Sequence, residues 1–211
     1  MQEQMPSHAK ELICINVEKV YDWVVKDLSF EIFPTSPIKF KNLPDCTRAS
    51  DVVSVTCQIC PSSTDPVVIK NRENRTFTID GSSVRLQQLT IQKNFEVTIC
   101  VTLTNGMTYK SCPFTYSRNE HVVMCAPKGT NVDVTYTELD CFVSSTGSIT
   151  NIHDDKITFS NLVLSISVCQ SIQSTFPVTV EFLANYCEPR ADISSTCSPP
   201  SRPDNCSIVF P

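Results

Sequence analysis

The sequence predicts an all-β protein: two tandem small β-sandwich domains, jelly-roll or immunoglobulin-like, with N- and C-terminal extensions. Three observations carry that reading. Val, Ile and Thr contribute 59 of the 211 residues, whereas Ala and Leu contribute 15. β-Branched side chains lose rotamer freedom on a helix and fit a pleated surface, so a helical bundle is excluded. Second, Phe95, Val97, Ile99, Val101 and Leu103 alternate with Glu96, Thr98, Cys100, Thr102 and Thr104, the period of a strand packed on one face. Third, three motifs recur in the same order along the chain.

Those motifs set the domain organisation. Val53-Ser-Val-Thr56 matches Val132-Asp-Val-Thr135. Val84-Arg-Leu-Gln-Gln-Leu-Thr-Ile91 matches Ile157-Thr-Phe-Ser-Asn-Leu-Val-Leu164, and Phe95-Glu-Val-Thr-Ile-Cys-Val101 matches Phe176-Pro-Val-Thr-Val-Glu-Phe182. Each copy closes on a Cys-x-Pro step, Cys125-Ala-Pro127 and Cys187-Glu-Pro189. The shared order predicts a duplicated β unit, with one sandwich over residues 46–127 and a second over 128–190.

The elements follow in chain order. Residues 1–45 form an N-terminal extension or connector. Within it Val17, Val20, Tyr21, Val24, Val25 and Leu28 fall at helical spacing, but the β-branched and aromatic content of this stretch favours strands. In the first repeat, Asn105-Gly106 signals a two-residue hairpin turn, with Met107-Thr-Tyr-Lys110 as the returning strand. Residues 191–211 are a Pro/Cys-rich tail ending in Cys206-Ser-Ile-Val-Phe-Pro211. Such a tail either completes a sheet of its own chain or adds a strand to a neighbouring subunit.

Composition narrows the function classes. A net charge of −5 with scattered basic residues argues against nucleic-acid binding. No stretch approaches the roughly 18 apolar residues of a membrane span. There is no G-x-S-x-G elbow, dinucleotide fingerprint or P-loop, and the expectation is a non-enzymatic protein without cofactors. Of the three histidines, His8 lies in the polar start and His121 at a strand start. His153, with Asp154 and Asp155, makes the one acid–base cluster, read as a solvated loop.

Twelve cysteines stand out: Cys14, Cys46, Cys57, Cys60, Cys100, Cys112, Cys125, Cys141, Cys169, Cys187, Cys197 and Cys206. That density belongs with an oxidising compartment. Yet the opening residues, Met1 to Lys10, lack the apolar core and cleavage site of a secretory signal. Cys57-Gln-Ile-Cys60 has the spacing of a zinc knuckle, so Cys57 and Cys60 are the metal candidates of a zinc-stabilised alternative. A redox use of the same pair needs a following helix, which Pro61-Ser-Ser-Thr-Asp-Pro66 forbids.

Three segments carry a family likeness. They are Cys14-Ile-Asn-Val-Glu-Lys-Val-Tyr-Asp-Trp-Val24, Met124-Cys-Ala-Pro-Lys-Gly-Thr130 running on to Leu139-Asp-Cys141, and Leu162-Val-Leu-Ser-Ile-Ser-Val-Cys-Gln-Ser-Ile172 continuing to Tyr186-Cys-Glu-Pro-Arg190. Through them the chain resembles the cysteine-rich morphogenetic spore-coat and spore-surface proteins of endospore-forming Firmicutes; disulfide-linked appendage fibres are a related case. The resemblance implies a self-assembling, non-enzymatic subunit, made in the mother-cell cytoplasm without a signal peptide and oxidised later. Its partners would be itself and other spore-surface proteins. On this reading Cys14, Cys197 and Cys206, in the terminal segments, are candidates for intersubunit disulfides. Cys46, Cys57, Cys60, Cys100, Cys112, Cys125, Cys141, Cys169 and Cys187 are candidates for intradomain bridges or core packing. The alternative is a secreted, disulfide-rich β-sandwich binding or adhesion module.

Overall fold

The computed structural model describes residues 11–184, and these are almost entirely strand and turn. The strands are β1 (Glu11–Ile32), β2 (Ile38–Lys39), β3 (Val52–Pro61), β4 (Val67–Ile79), β5 (Ser82–Leu103), β6 (Thr108–Lys110), β7 (Phe114–Met124), β8 (Asn131–Ser145), β9 (Ser148–His153), β10 (Lys156–Ser160) and β11 (Val163–Ala184). The described residues fall into two compact units. One is Glu18–Pro177. The other takes in the chain before and after it, of which residues 11–17 and 178–184 are described.

Within Glu18–Pro177, β5 is the spine of one sheet. β3 and β4 lie end to end along one of its edges, and β7 and β6 lie end to end along the other. The second sheet has the order β1-β11-β8, and β2, β10 and β9 form a small third sheet. Alternation places Phe95, Val97, Ile99 and Val101 of β5 against Leu164, Ile166 and Val168 of β11, with Phe30 and Ile32 of β1 and Ile157 and Phe159 of β10 in the same cluster. A second cluster gathers Leu89 and Ile91 of β5, Val122 and Met124 of β7, Ala126, and Ile172 of β11. Each fully buried side chain of this kind stabilises the fold by roughly 1.5–3 kcal/mol.

The all-β expectation holds, and the core corrects its finer form. The first repeat, 46–127, supplies the β5 sheet, and the second, 128–190, supplies β8 and β11 of the facing sheet. Neither sheet encloses a core by itself; residues from both repeats share one cluster, so residue 127 separates two layers rather than two domains. The expected N-terminal extension is also partly core. Val24, Leu28, Phe30 and Ile32 of β1 face inward, while Tyr21, Trp23 and Val25 face solvent, which is strand alternation and not a helical stripe.

The turns follow local chemistry. Asp80-Gly81 joins β4 to β5 with both residues at positive φ, the two-residue turn whose twist matches the flanking strands. The Asn105-Gly106 hairpin is present with one residue more than expected. The Leu103 amide donates to the Met107 carbonyl, leaving Thr104, Asn105 and Gly106 as a three-residue loop with Gly106 at φ +82.

Candidate functional site

The first feature with chemistry is a disulfide between Cys57 on β3 and Cys141 on β8, with Cα atoms 5.6 Å apart. Strand geometry places both sulfurs. Val55, Cys57 and Ile59 alternate toward the core. On β8 the register slips between Tyr136 and Glu138, leaving Thr137 as a bulged extra residue. Val132, Val134 and Tyr136 face inward before the bulge, and Leu139, Cys141 and Val143 after it. Without that residue Cys141 would point to solvent. The bond ties together edge strands of the two facing sheets.

The same alternation bears on the zinc alternative. Residues three apart on a strand face opposite sides, so Cys57 points inward while Cys60 is exposed, its Sγ 3.8 Å from the Glu96 carbonyl oxygen. One sulfur of the knuckle is consumed by Cys141, and the pair does not converge. Among the described residues no three His, Cys, Asp or Glu side chains are grouped to hold a metal ion.

The remaining described thiols are free. Cys14, Cys46 and Cys60 are exposed, Cys100 is buried, and Cys112, Cys125 and Cys169 are half-buried. Cys14 lies 3.9 Å from a carboxylate oxygen of Glu181, and the neighbouring pair Asn16 and Thr179 is hydrogen-bonded at 2.7 Å. Cys169 sits on the outer face of β11, where partial burial and the carboxylates of Glu138, Asp27 and Asp140 hold its thiol above the usual range. Cys187, Cys197 and Cys206, and the tail that carries two of them, lie outside the described residues. His153 and Asp154 meet at 3.3 Å on an exposed turn whose two central residues, Asp154 and Asp155, both have positive φ.

Sequence reasoning missed the second feature, a layer of polar side chains between the two apolar clusters. Lys93 on β5 is fully buried. It occupies the inward position between Ile91 and Phe95. Its Nζ contacts Glu120 Oε2 of β7 and Gln170 Oε1 of β11. The Gln170 Nε2 donates to the same Glu120 oxygen at 2.9 Å, and Lys26 Nζ of β1 lies 2.7 Å from the other, Oε1. Burial pushes the Glu120 carboxyl up, but bonds from Lys26, Lys93 and Gln170 outweigh it and hold the group below its ordinary value. Burial lowers Lys93 from the usual ammonium range despite its partner. Tyr136, paired with Gln170 across the β8–β11 ladder, has a buried hydroxyl with no partner among the described residues. The available signal was a charge in phase with the apolar alternation: Leu89, Ile91, Lys93, Phe95 on one strand, and Glu120, Val122, Met124 on another.

The third feature is a groove of about 640 Å³ where the chain leaves β1, lined by Ile32, Phe33, Pro34, Pro37, Phe114 and Tyr116 among others.

No family model, curated protein or solved structure matches the chain.

Proposed function

We propose that the protein is a self-assembling structural subunit of the bacterial spore surface, coat or appendage fibre, joined by edge-strand pairing and intersubunit disulfides. The observation that carries this reading is the pair of strand ends at residues 11–17 and 178–184. Two strands alone are marginal in water. These carry exposed Leu12, Ile15, Val17, Phe182 and Leu183, with the free, exposed thiol of Cys14 among them. An apolar two-stranded ribbon gains most by pairing with further strands, and a second copy of the chain brings both an edge and another thiol. The disulfide within Glu18–Pro177 does not compete for Cys14, which leaves that sulfur for a neighbour.

The test is a pair of gels and a micrograph. Purified, air-oxidised protein should run as a ladder without reductant and collapse to one band with it, and negative-stain images should show filaments or sheets. Cys14→Ser should shorten the ladder. Monomer in both lanes, with dispersed particles, would end this reading. It would leave the binding or adhesion module, which the apolar groove beside β1 favours.

A further inference from the structure

The buried polar layer holds the parts of a condensation reaction. We propose that Lys93 and Gln170 become joined by an intramolecular isopeptide bond, Nζ to Cδ, with Glu120 carrying the protons. The nucleophile is in place, because Lys93 Nζ contacts Gln170 Oε1 and the electrophilic Cδ lies one bond behind that oxygen. The relay is in place as well. A single oxygen, Glu120 Oε2, contacts the nucleophilic Nζ and lies 2.9 Å from Nε2 of the leaving amide.

The step balances without a co-reactant. The Glu120 carboxylate takes a proton from the Lys93 ammonium, and the neutral amine attacks Cδ. As the tetrahedral adduct collapses, Glu120 passes its proton to Nε2 and takes a second from Nζ. The Cδ–Nε2 bond breaks, the Cδ–Nζ bond remains, and ammonia departs, collecting the last proton from Glu120. Lysine ammonium plus glutamine amide thus gives a secondary amide plus an ammonium ion, with Glu120 regenerated.

The surroundings favour it. Ile91, Phe95, Val168 and Ile172 flank the site above and below, so water is excluded and both reactants are held in one geometry. Two cations, Lys93 and Lys26, face one carboxylate, and discharging the buried lysine removes that excess positive charge while Glu120 keeps Lys26 as its partner. Burial already lowers the proton affinity of Lys93. The hydroxyl of Tyr136, the residue paired with Gln170 across the β8–β11 ladder, is a buried donor left without a partner among the described residues. Glu120 itself is the weaker electrophile, since it is held as a carboxylate. The product would link the central strands of the two facing sheets, residues 77 positions apart.

Mass spectrometry of the folded full chain, reduced and alkylated, decides the matter. The protein should be lighter than its sequence by one ammonia. Cyclisation of Gln2 in a chain that has lost Met1 removes the same mass, so the digest locates the bond. Trypsin should fail to cut after Lys93 and should release a branched peptide joining residues 86–110 to residues 157–190. Glu120→Gln, which removes the relay, should give the full mass and the linear peptide 86–93. Because that variant could misfold, the wild-type digest stands alone as the test. A linear 86–93 peptide from wild type, even after prolonged incubation, or a Lys93 bond to Glu120 with loss of water, would overturn the proposal.

Discussion

Cys57 and Cys141 lie on edge strands of opposite sheets, 84 positions apart in sequence, and their bond closes the sandwich along that side. Closing so long a loop restricts the unfolded chain most of all. By the chain-entropy model its removal costs about 4.6 kcal/mol. The fold itself rests on the apolar clusters on either side of the polar layer. Cys57→Ser/Cys141→Ser is therefore expected to stay folded but unfold at clearly lower urea. The fluorescence of the single tryptophan, Trp23, whose indole donates to Ser171, reports the transition. Unchanged midpoints would show that the bond does not form.

Among the described residues Glu120 is the sole carboxylate contacting buried Lys93. Truncating one member of a buried pair strands the other, at about 3–5 kcal/mol, so Glu120→Ala should destabilise strongly and Glu120→Gln less. Its carboxyl titrates below the ordinary 4.5 in the fold, so the unfolded chain binds the proton more readily. The stability it confers is complete above that ordinary value and disappears as pH falls through the lowered one. Urea midpoints measured down the acid range should fall steeply in wild type and more gently in Glu120→Gln.

Tyr136 gives the opposite sign. Burial, helped by the nearby charge of Glu120, raises its phenol from 10.0 to about 12. A raised value means the fold retains the proton; the contribution is whole below pH 10 and is lost on the way to about 12. In an ultraviolet titration one of the five tyrosines should ionise late. Tyr136→Phe should abolish that late step, and since the hydroxyl has no partner among the described residues the change should cost little stability.

Gly147 connects β8 to β9 at φ +56, and a Cβ built there would run into the backbone carbonyl of Ser160. Both the conformation and the space require glycine. Gly147→Ala should destabilise by about 1–3 kcal/mol, read as a drop in melting temperature. An equal change at Gly106, which also has positive φ but nothing within contact of a Cβ, should be milder.

Legibility in the sequence ran along the strands and failed between them. The alternation from Phe95 to Leu103 predicted a one-sided strand, and β5 buries those residues. The recurring motifs were visible too, but alternation says only that a face is apolar, never what covers it. Two one-faced sheets can each fill a core of their own or cover each other, and here they cover each other. The disulfide was hidden for a related reason. Cys141 faces Cys57 only because of the extra residue at Thr137, and a bulge leaves no mark in composition. Lys93, Glu120 and Gln170 lie on three strands: the β5–β7 pairing sets Glu120 beside Lys93, and the stacking of the sheets brings Gln170 to them.

The order of strands in the second sheet sets a schedule for synthesis. Every strand pair of the β5 sheet joins residues no more than 51 positions apart. β1 reaches farther: Trp23 waits for Ser171, 148 positions later. At about 5–20 residues per second, the ribosome leaves β1, with its row of exposed valines and aromatics, without its strand for of order ten seconds. β1 is thus made before every other described strand and is among the last paired. During that interval the edge of β1 that β11 will later cover stays open.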